Sequence, residues 1–440
     1  MKTMKRSNFR TITALLLSVI LTTSYAAGKD IQKTFTWKYN INKDGTVKME
    51  NYDCNLVIHT TDKSEAELRL TIEAETRSDE DAVTLEKYLQ DFVFSNSPSF
   101  VSFRSRFWES RNTVMNRTTM KLAGGKSIVL NSFGIKGELW IPAGCRFELN
   151  SKYSQVNMED FTGPLFLDLY NNNLYGGTVS SPAEITDKYS TIEFRDMKDL
   201  RANLYNSKLS TGNTGDLIIE SKYSRINMLS CERFSANSYN DKYEIPKTAD
   251  VTFTAKYSDL KTESSGNVII DLYNGTVIMG DARDVKINSK YGEFQFSAFV
   301  RCTISTSYND KLTSGRLASL IIGESKYTSF RIGYLAESIQ DRDSYNDNFT
   351  ISDTGKEFSG LFLSGKYIKA SITLPGSMSY RFKADIKYAD LDINESSLKP
   401  IVKIIEGSNV KYDAVKGTES EGMPVIEING YEAALKILEK

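Results

Sequence analysis

The residues with the most unusual spacing in this chain are lysines and tyrosines. Lys188, Tyr205, Lys222, Tyr239, Lys256, Tyr273, Lys290 and Tyr308 alternate, and the first six intervals are all 17 residues. Cation and ring at a fixed spacing allow two kinds of chemistry. They can brace each other through cation–π contacts of about 0.5–1 kcal/mol each. They can also present flat apolar surface and charge to a macromolecule or a sugar ring, repeated along one face. The first use makes a stabilising ladder, since repeated cross-strand pairs are the ordinary unit of sheet stability. The second makes a binding face. The sequence leaves both open.

No catalytic or metal constellation competes with that column. His59 is the single histidine, which argues against a His/Cys zinc site and against a triad that needs histidine. It lies in the alternating run Leu56-Val57-Ile58-His59 and reads as an exposed or edge strand residue. Cys54, Cys145, Cys231 and Cys302 form no CxxC and are too few for a disulfide scaffold. Gly124-Gly125-Lys126-Ser127 lacks the first glycine of a phosphate loop, because position 120 is Met120. Asp353-Thr354-Gly355 stands without the second carboxylate that an acid dyad needs.

A glycan hydrolase is the serious enzymatic rival, and it needs two carboxyl groups no more than about 9.5 Å apart. The outward column Asp168, Thr186, Asn203, Glu220, Asn237, Thr254, Asp271, Asn288 spaces its acids three repeats apart, roughly 14 Å at strand spacing. That column supplies no pair. The segment from Phe92 to Lys121 mixes Phe94, Phe100, Phe103, Phe107 and Trp108 with Arg104, Arg106, Arg111 and Arg117. Such a mix can bind single-stranded nucleic acid, but alternating strand residues around a small core account for it more simply.

The column belongs to a longer repeat. Taking the second residue of each Lys-Tyr or Tyr-Asn word as a marker gives Tyr189, Asn206, Tyr223, Asn240, Tyr257, Asn274 and Tyr291, all 17 apart. Steps of 18 extend the series back to Asn171 and Tyr153. Forwards it loosens through Asn309, Tyr327, Asn346, Tyr367, Tyr388 and Tyr412. Before each marker apolar or small residues alternate, as in Leu217, Ile219, Ser221 and Val251, Phe253, Ala255, which means a strand with one buried face. A second short strand follows the marker, as in Ile226 and Met228. Seventeen residues cannot hold a crossover helix or a four-stranded blade. Stacked coils of two or three short strands can, and the low proline count of 8 suits such a ladder. The expected fold is all-β: a single-stranded parallel β-helix with coils of about 17 residues.

The expected organisation has three parts. Residues 1–26 carry Lys2, Lys5, Arg6 and Arg10, an apolar run from Ile12 to Leu21, and Ser24-Tyr25-Ala26 before a cleavage site, the pattern of a signal peptide. Removing them takes the net charge from −1 to −5, with no electrostatic footprint for nucleic acid. Residues 27–150 form a strand-rich region and solenoid cap, with one helix at about 79–92 behind Ser78. Residues 151–440 form the solenoid, with Val425–Ile428 and Ala434–Ile437 as a closing coil.

A strand-rich leader, the helix after Ser78, Leu139-Trp140-Ile141-Pro142-Ala143-Gly144 and short repeated strands together resemble the bacterial "putative adhesin" envelope proteins. That resemblance implies a solenoid similar to autotransporter adhesin heads, and adhesion by analogy. This chain punctuates its repeats with Lys-Tyr and Tyr-Asn where that family uses mainly glycine.

The expectation is therefore an exported, non-enzymatic envelope or surface protein, in the periplasm or at the cell surface. It would bind or scaffold through one solenoid face, the Lys188–Tyr308 column, with a glycan or another envelope or surface protein as partner. No cofactor, metal, nucleic acid or membrane span is expected in the mature chain. A structural periplasmic protein without a ligand and a polysaccharide-active enzyme are the alternatives.

Overall fold

The computed structural model of the protein describes residues 29–115 and 117–440. The segment expected to be a signal peptide, residues 1–26, lies outside the described residues. The chain divides into two compact units.

The larger unit is a parallel β-solenoid of about 13 turns. Its coils stack in register, so equivalent residues form lines along the axis. Ala183, Leu200, Leu217, Phe234, Val251 and Val268 are successive Cα partners, as are Ile185, Ala202, Ile219, Ala236, Phe253 and Ile270. Both lines are buried. No single coil could bury these residues alone, so stacking creates the core. After the corner a second line, Leu209, Ile226, Tyr243 and Leu260, closes the interior from another side.

Each coil turns its corner at the marker residue, and every marker from Tyr153 to Tyr388 has a positive φ: 57° at Tyr153, 52° at Asn206, 57° at Tyr257, 61° at Tyr367. One left-handed residue swings the chain without interrupting the ladder. Asn206 N still donates to Lys222 O at 2.8 Å, and Tyr223 N to Tyr239 O at 3.0 Å. Asparagine adopts this conformation readily, whereas tyrosine does so at a cost of about 1–2 kcal/mol. Something must offset that cost in every second coil.

Two coils, one towards each end of the stack, come from distant parts of the chain. The strand Thr46–Tyr52 pairs in parallel with Arg146–Lys152, and Asn55–Thr61 lies beside Gln155–Met158. Tyr52 and Asp53 (φ 50°) thus supply a coil directly beneath Tyr153. At the other end the strand Val425–Glu439 does not close the stack. It inserts between the coil of Gly360–Leu374 and the strand Tyr380–Asp392, pairing in parallel with both. Gly365 and Gly430 are partners there, with φ of 155° and 147°, and a Cβ on Gly430 would sit 1.9 Å from Gly365 O. Only glycine fits that approach.

The end is closed instead by antiparallel strands, Asn409–Lys416 against Tyr380–Asp392 and then Leu398–Glu406. Tyr412, expected to continue the marker series, lies in this cap, buried at 3% exposure and packed on Phe382. Its Lys-Tyr word imitates the repeat, but antiparallel pairing places it outside the stack.

The smaller unit, within residues 29–32, 73–91 and 108–133, holds the helix Asp79–Gln90. The Ser78 side chain accepts from Asp81 N at 3.1 Å, an N-cap with acids in the first turn, and Ala82, Leu85 and Leu89 form the buried stripe. Trp108–Val114 and Arg117–Leu122 form a hairpin in the same unit. Trp108 is buried there at 4% exposure, with Arg111 over its ring. Phe94, Phe103 and Phe107 are likewise buried in the larger unit. Phe94, Phe103, Phe107 and Trp108 thus build cores, while Arg104, Arg106, Arg111 and Arg117 are exposed.

Candidate functional site: the tyrosine edge

The solenoid corner places the expected column on the outside. Lys188, Tyr205, Lys222, Tyr239, Lys256, Tyr273 and Lys290 are exposed, and Tyr308 is half-buried. They are successive Cα partners from Lys188 to Tyr273. The column also runs further than the sequence reading placed it. Tyr52, Lys152, Tyr170 and Lys188 continue it at one end. Tyr308, Lys326, Tyr345, Lys366, Tyr431 and Lys387 continue it at the other. Lysine and tyrosine alternate without a break, including across both insertions of distant chain.

The rings do not pair with the lysines of their own column, as the sequence suggested they could. They pair with one another. Tyr189, Tyr205, Tyr223, Tyr239, Tyr257, Tyr273, Tyr291 and Tyr308 form a continuous edge-to-face series, with centroids 5.5–5.8 Å apart and planes at 75–85°. The series reaches Tyr52 at one end and Tyr388 at the other.

Alternation explains the geometry. A tyrosine at the same position in every coil would repeat at about 4.8 Å with all rings parallel. Moving every second ring one residue along, onto the left-handed corner, staggers the series into the favoured perpendicular arrangement. Each ring contact is worth about 0.5–1.5 kcal/mol, and each corner tyrosine makes two. That offsets the backbone cost of placing tyrosine where asparagine would fit.

Partial burial in the ladder pushes the phenols of Tyr223, Tyr257 and Tyr291 above their ordinary range, and repulsion from the adjacent phenols adds to the shift. The rings still keep much of their surface: Tyr205 is 37% exposed, Tyr239 37% and Tyr257 44%.

One residue to either side of this edge the chain points inward, and the lining becomes polar. Asp241, 1% exposed, accepts from Ser221 Oγ at 2.8 Å, Ser238 Oγ at 2.7 Å and Ser224 N at 2.6 Å. Asp310 and Asp347 are held the same way by Ser307 and Gly292, and by Ser325 and Thr328. Burial pushes the carboxyls of Asp187, Asp310 and Asp347 up. It pushes Asp341 to about 7, with Oδ1 lacking any hydrogen-bond partner. These side chains are closed off from solvent, so their place is in the core.

The remaining candidates are accounted for by packing. His59 stacks on Trp140, and its Nδ1 lies 2.8 Å from Glu159, whose carboxyl this contact pulls below its usual range. The outward acids Asp168, Glu220 and Asp271 occur in one register line, three coils apart. All four cysteines are free and buried, and burial pushes the Cys54, Cys145 and Cys231 thiols to about 12. Among the described residues no cluster of three or more His, Cys, Asp or Glu could hold a metal ion, and no helix is long and apolar enough to cross a membrane.

The fold and its edge define a parallel β-solenoid with one aromatic, cation-flanked corner. No family model and no curated protein matches the chain. A solved structure of a "putative cell adhesion protein" from Clostridium sporogenes is similar over 93% of this chain and 100% of its own, at 10% identity and a TM-score of 0.17. A score that low carries no inference about function.

Proposed function

We propose that the chain is an exported, non-enzymatic envelope or surface protein that binds, in the manner of an adhesin, along the tyrosine edge of its solenoid. The observation carrying this reading is the continuous ladder itself: rings about two-fifths exposed, at every coil, flanked by lysines at every second coil. Tyrosine offers an apolar face and a polar tip at low entropic cost, and repetition makes the surface multivalent. One observation favours a second reading, a purely structural ladder: each ring is already packed on two others.

The double variant Tyr239→Ser/Tyr273→Ser separates the two. Binding by this edge means that retention on cells or envelope fractions falls sharply while the melting temperature drops by only a few degrees. Full retention with a collapsed melting temperature establishes the structural ladder. A turnover assay releasing no reducing ends from polysaccharides supports the non-enzymatic part, and steady release refutes it.

A further inference from the structure

The corner is not uniform along its length. Between Tyr189 and Tyr257 cations stand on both sides of the rings. Lys188, Lys222 and Lys256 precede the corner on alternate coils, and Lys208, Arg225 and Lys242 follow it on consecutive coils. All six are exposed, and none has a carboxylate partner among the described residues. Stacking Lys208, Arg225 and Lys242 at about 4.8 Å places like charges directly opposite, which destabilises a sheet. The whole chain has a net charge of −1, so this is a local concentration.

Nearby acids are largely engaged elsewhere. Asp187 and Asp241 are buried beneath the corner, Glu244 pairs with Lys261 at 3.1 Å, and Asp259, the register partner of Lys242, accepts from Thr276 N at 3.0 Å. Glu220, two residues before Lys222, is the one outward carboxylate within this stretch of its column. A groove of about 440 Å3 beside the cations is lined by Arg225, Lys242 and Lys261, with Glu244 and Asp259 also in its wall. Opposite charge meets this line at one end alone, where Asp259 faces Lys242, and the uncompensated Lys208–Arg225 pair points to a ligand supplying the missing charge.

We infer that this stretch, if the edge binds as proposed above, takes an extended acidic polysaccharide lying along the solenoid axis, with its charge recurring once per two sugars. The lysine spacing carries the choice of class. Lys188, Lys222 and Lys256 recur every second coil, about 9.6 Å at strand spacing, with a corner-mounted ring at the same interval. That interval is close to the two-sugar repeat of an extended β-linked glycan. A polymer alternating uronic acid with a neutral sugar sets one carboxylate against each lysine and one sugar face against each ring. The row after the corner adds charge over the centre of the footprint.

The probe is hyaluronan, an alternating uronate polymer, measured by calorimetry on the full mature chain beside a neutral chitin oligosaccharide and single-stranded DNA. Hyaluronan should bind, and raising salt to about 0.5 M should weaken it at least tenfold, because exposed charge pairs are screened. The triple variant Lys222→Gln/Arg225→Gln/Lys242→Gln should lose at least tenfold in affinity while keeping its melting temperature. Lys198→Gln, an exposed control away from the edge, should bind unchanged.

Equal binding of the neutral oligosaccharide with no effect of the triple variant overturns the acidic assignment and leaves edge binding intact. DNA binding as tight as hyaluronan overturns it too, as general polyanion attraction. No glycan binding, with cell retention still sensitive to Tyr239→Ser/Tyr273→Ser, removes the polysaccharide alone. Retention insensitive to those ring substitutions removes the proposed function as well.

Discussion

Ser238, Tyr239, Asn240 and Asp241 occupy one corner, yet the two outer residues of this run and the two inner ones solve different problems. Ser238 and Asp241 point inward, are nearly inaccessible, and satisfy each other through a 2.7 Å hydrogen bond. Tyr239 and Asn240 point outward, carry the ring ladder and the left-handed turn, and remain exposed. The inner line varies in identity, with Ser, Thr, Asn and Asp interrupted by Leu204, Ala255 and Leu272, because any group that donates and accepts can close the polar stretches and an apolar side chain can fill the rest. The outer line holds to Lys, Tyr and Asn from Lys152 to Tyr367, with Asp53 and Glu432 at the corners of the two inserted coils. Hydrogen bonding fixes the inside, and ring stagger with left-handed tolerance fixes the outside. The lysines answer to neither.

That contrast can be broken most forcefully from within. Asp241→Ala strands several buried donors and should cost about 3–5 kcal/mol in urea unfolding, as for other broken buried networks. A loss below about 1 kcal/mol would mean the inner line does not hold the corner.

Asp341 sharpens the same side through pH. Its folded pKa of about 7 lies above the unfolded value of about 3.9. Its contribution to stability is therefore fully present below about pH 4 and is lost as pH rises through about 7. Asp187, Asp310 and Asp347 are shifted in the same direction. The wild type should lose on the order of 3 kcal/mol through Asp341 between pH 4 and pH 8. Asp341→Asn should flatten that part of the profile, and an unchanged slope would remove the assignment.

On the outer side, Asn274→Ala should cost about 1 kcal/mol, because alanine is strained at φ 57°, while Asn274→Gly should be close to neutral. Equal effects in a thermal melt would argue against left-handed tolerance as the reason for asparagine. The smallest effect belongs to Lys256→Gln, expected within about 0.5 kcal/mol of wild type. A larger loss would give the lysines a structural task.

Much of this was legible from spacing. The 17-residue coil, the inward and outward parity, and the helix behind Ser78 follow from local patterns that the structure reproduces. The conformation of the corner was not read, because tyrosine is no left-handed signal; the asparagines in alternate markers carried that information. The ring ladder straddles two columns, so neither column alone revealed it, and a Lys–Tyr ladder stood as one of the two open readings. Lys208, Arg225 and Lys242 were passed over because they lie beyond the corner.

The intercalated coils were hidden for a different reason. Stacking between residues one hundred positions apart leaves no local mark. One trace existed: Tyr367 and Tyr388 are consecutive Lys-Tyr words with no Tyr-Asn word between them. Tyr431 and Glu432 (φ 53°) supply the missing coil, as Tyr52 and Asp53 supply the one beneath Tyr153.

The central claim, that the exposed ladder between Tyr189 and Tyr257 holds an acidic polysaccharide, is tested most directly by tyrosine nitration of the folded chain, read residue by residue by mass spectrometry with and without hyaluronan. Protection of Tyr189, Tyr205, Tyr223, Tyr239 and Tyr257, with Tyr388 at the far end of the ladder nitrated as in the free protein, is the expected result. Unchanged nitration along the whole ladder at a saturating concentration, or protection confined to tyrosines away from it, would contradict the account.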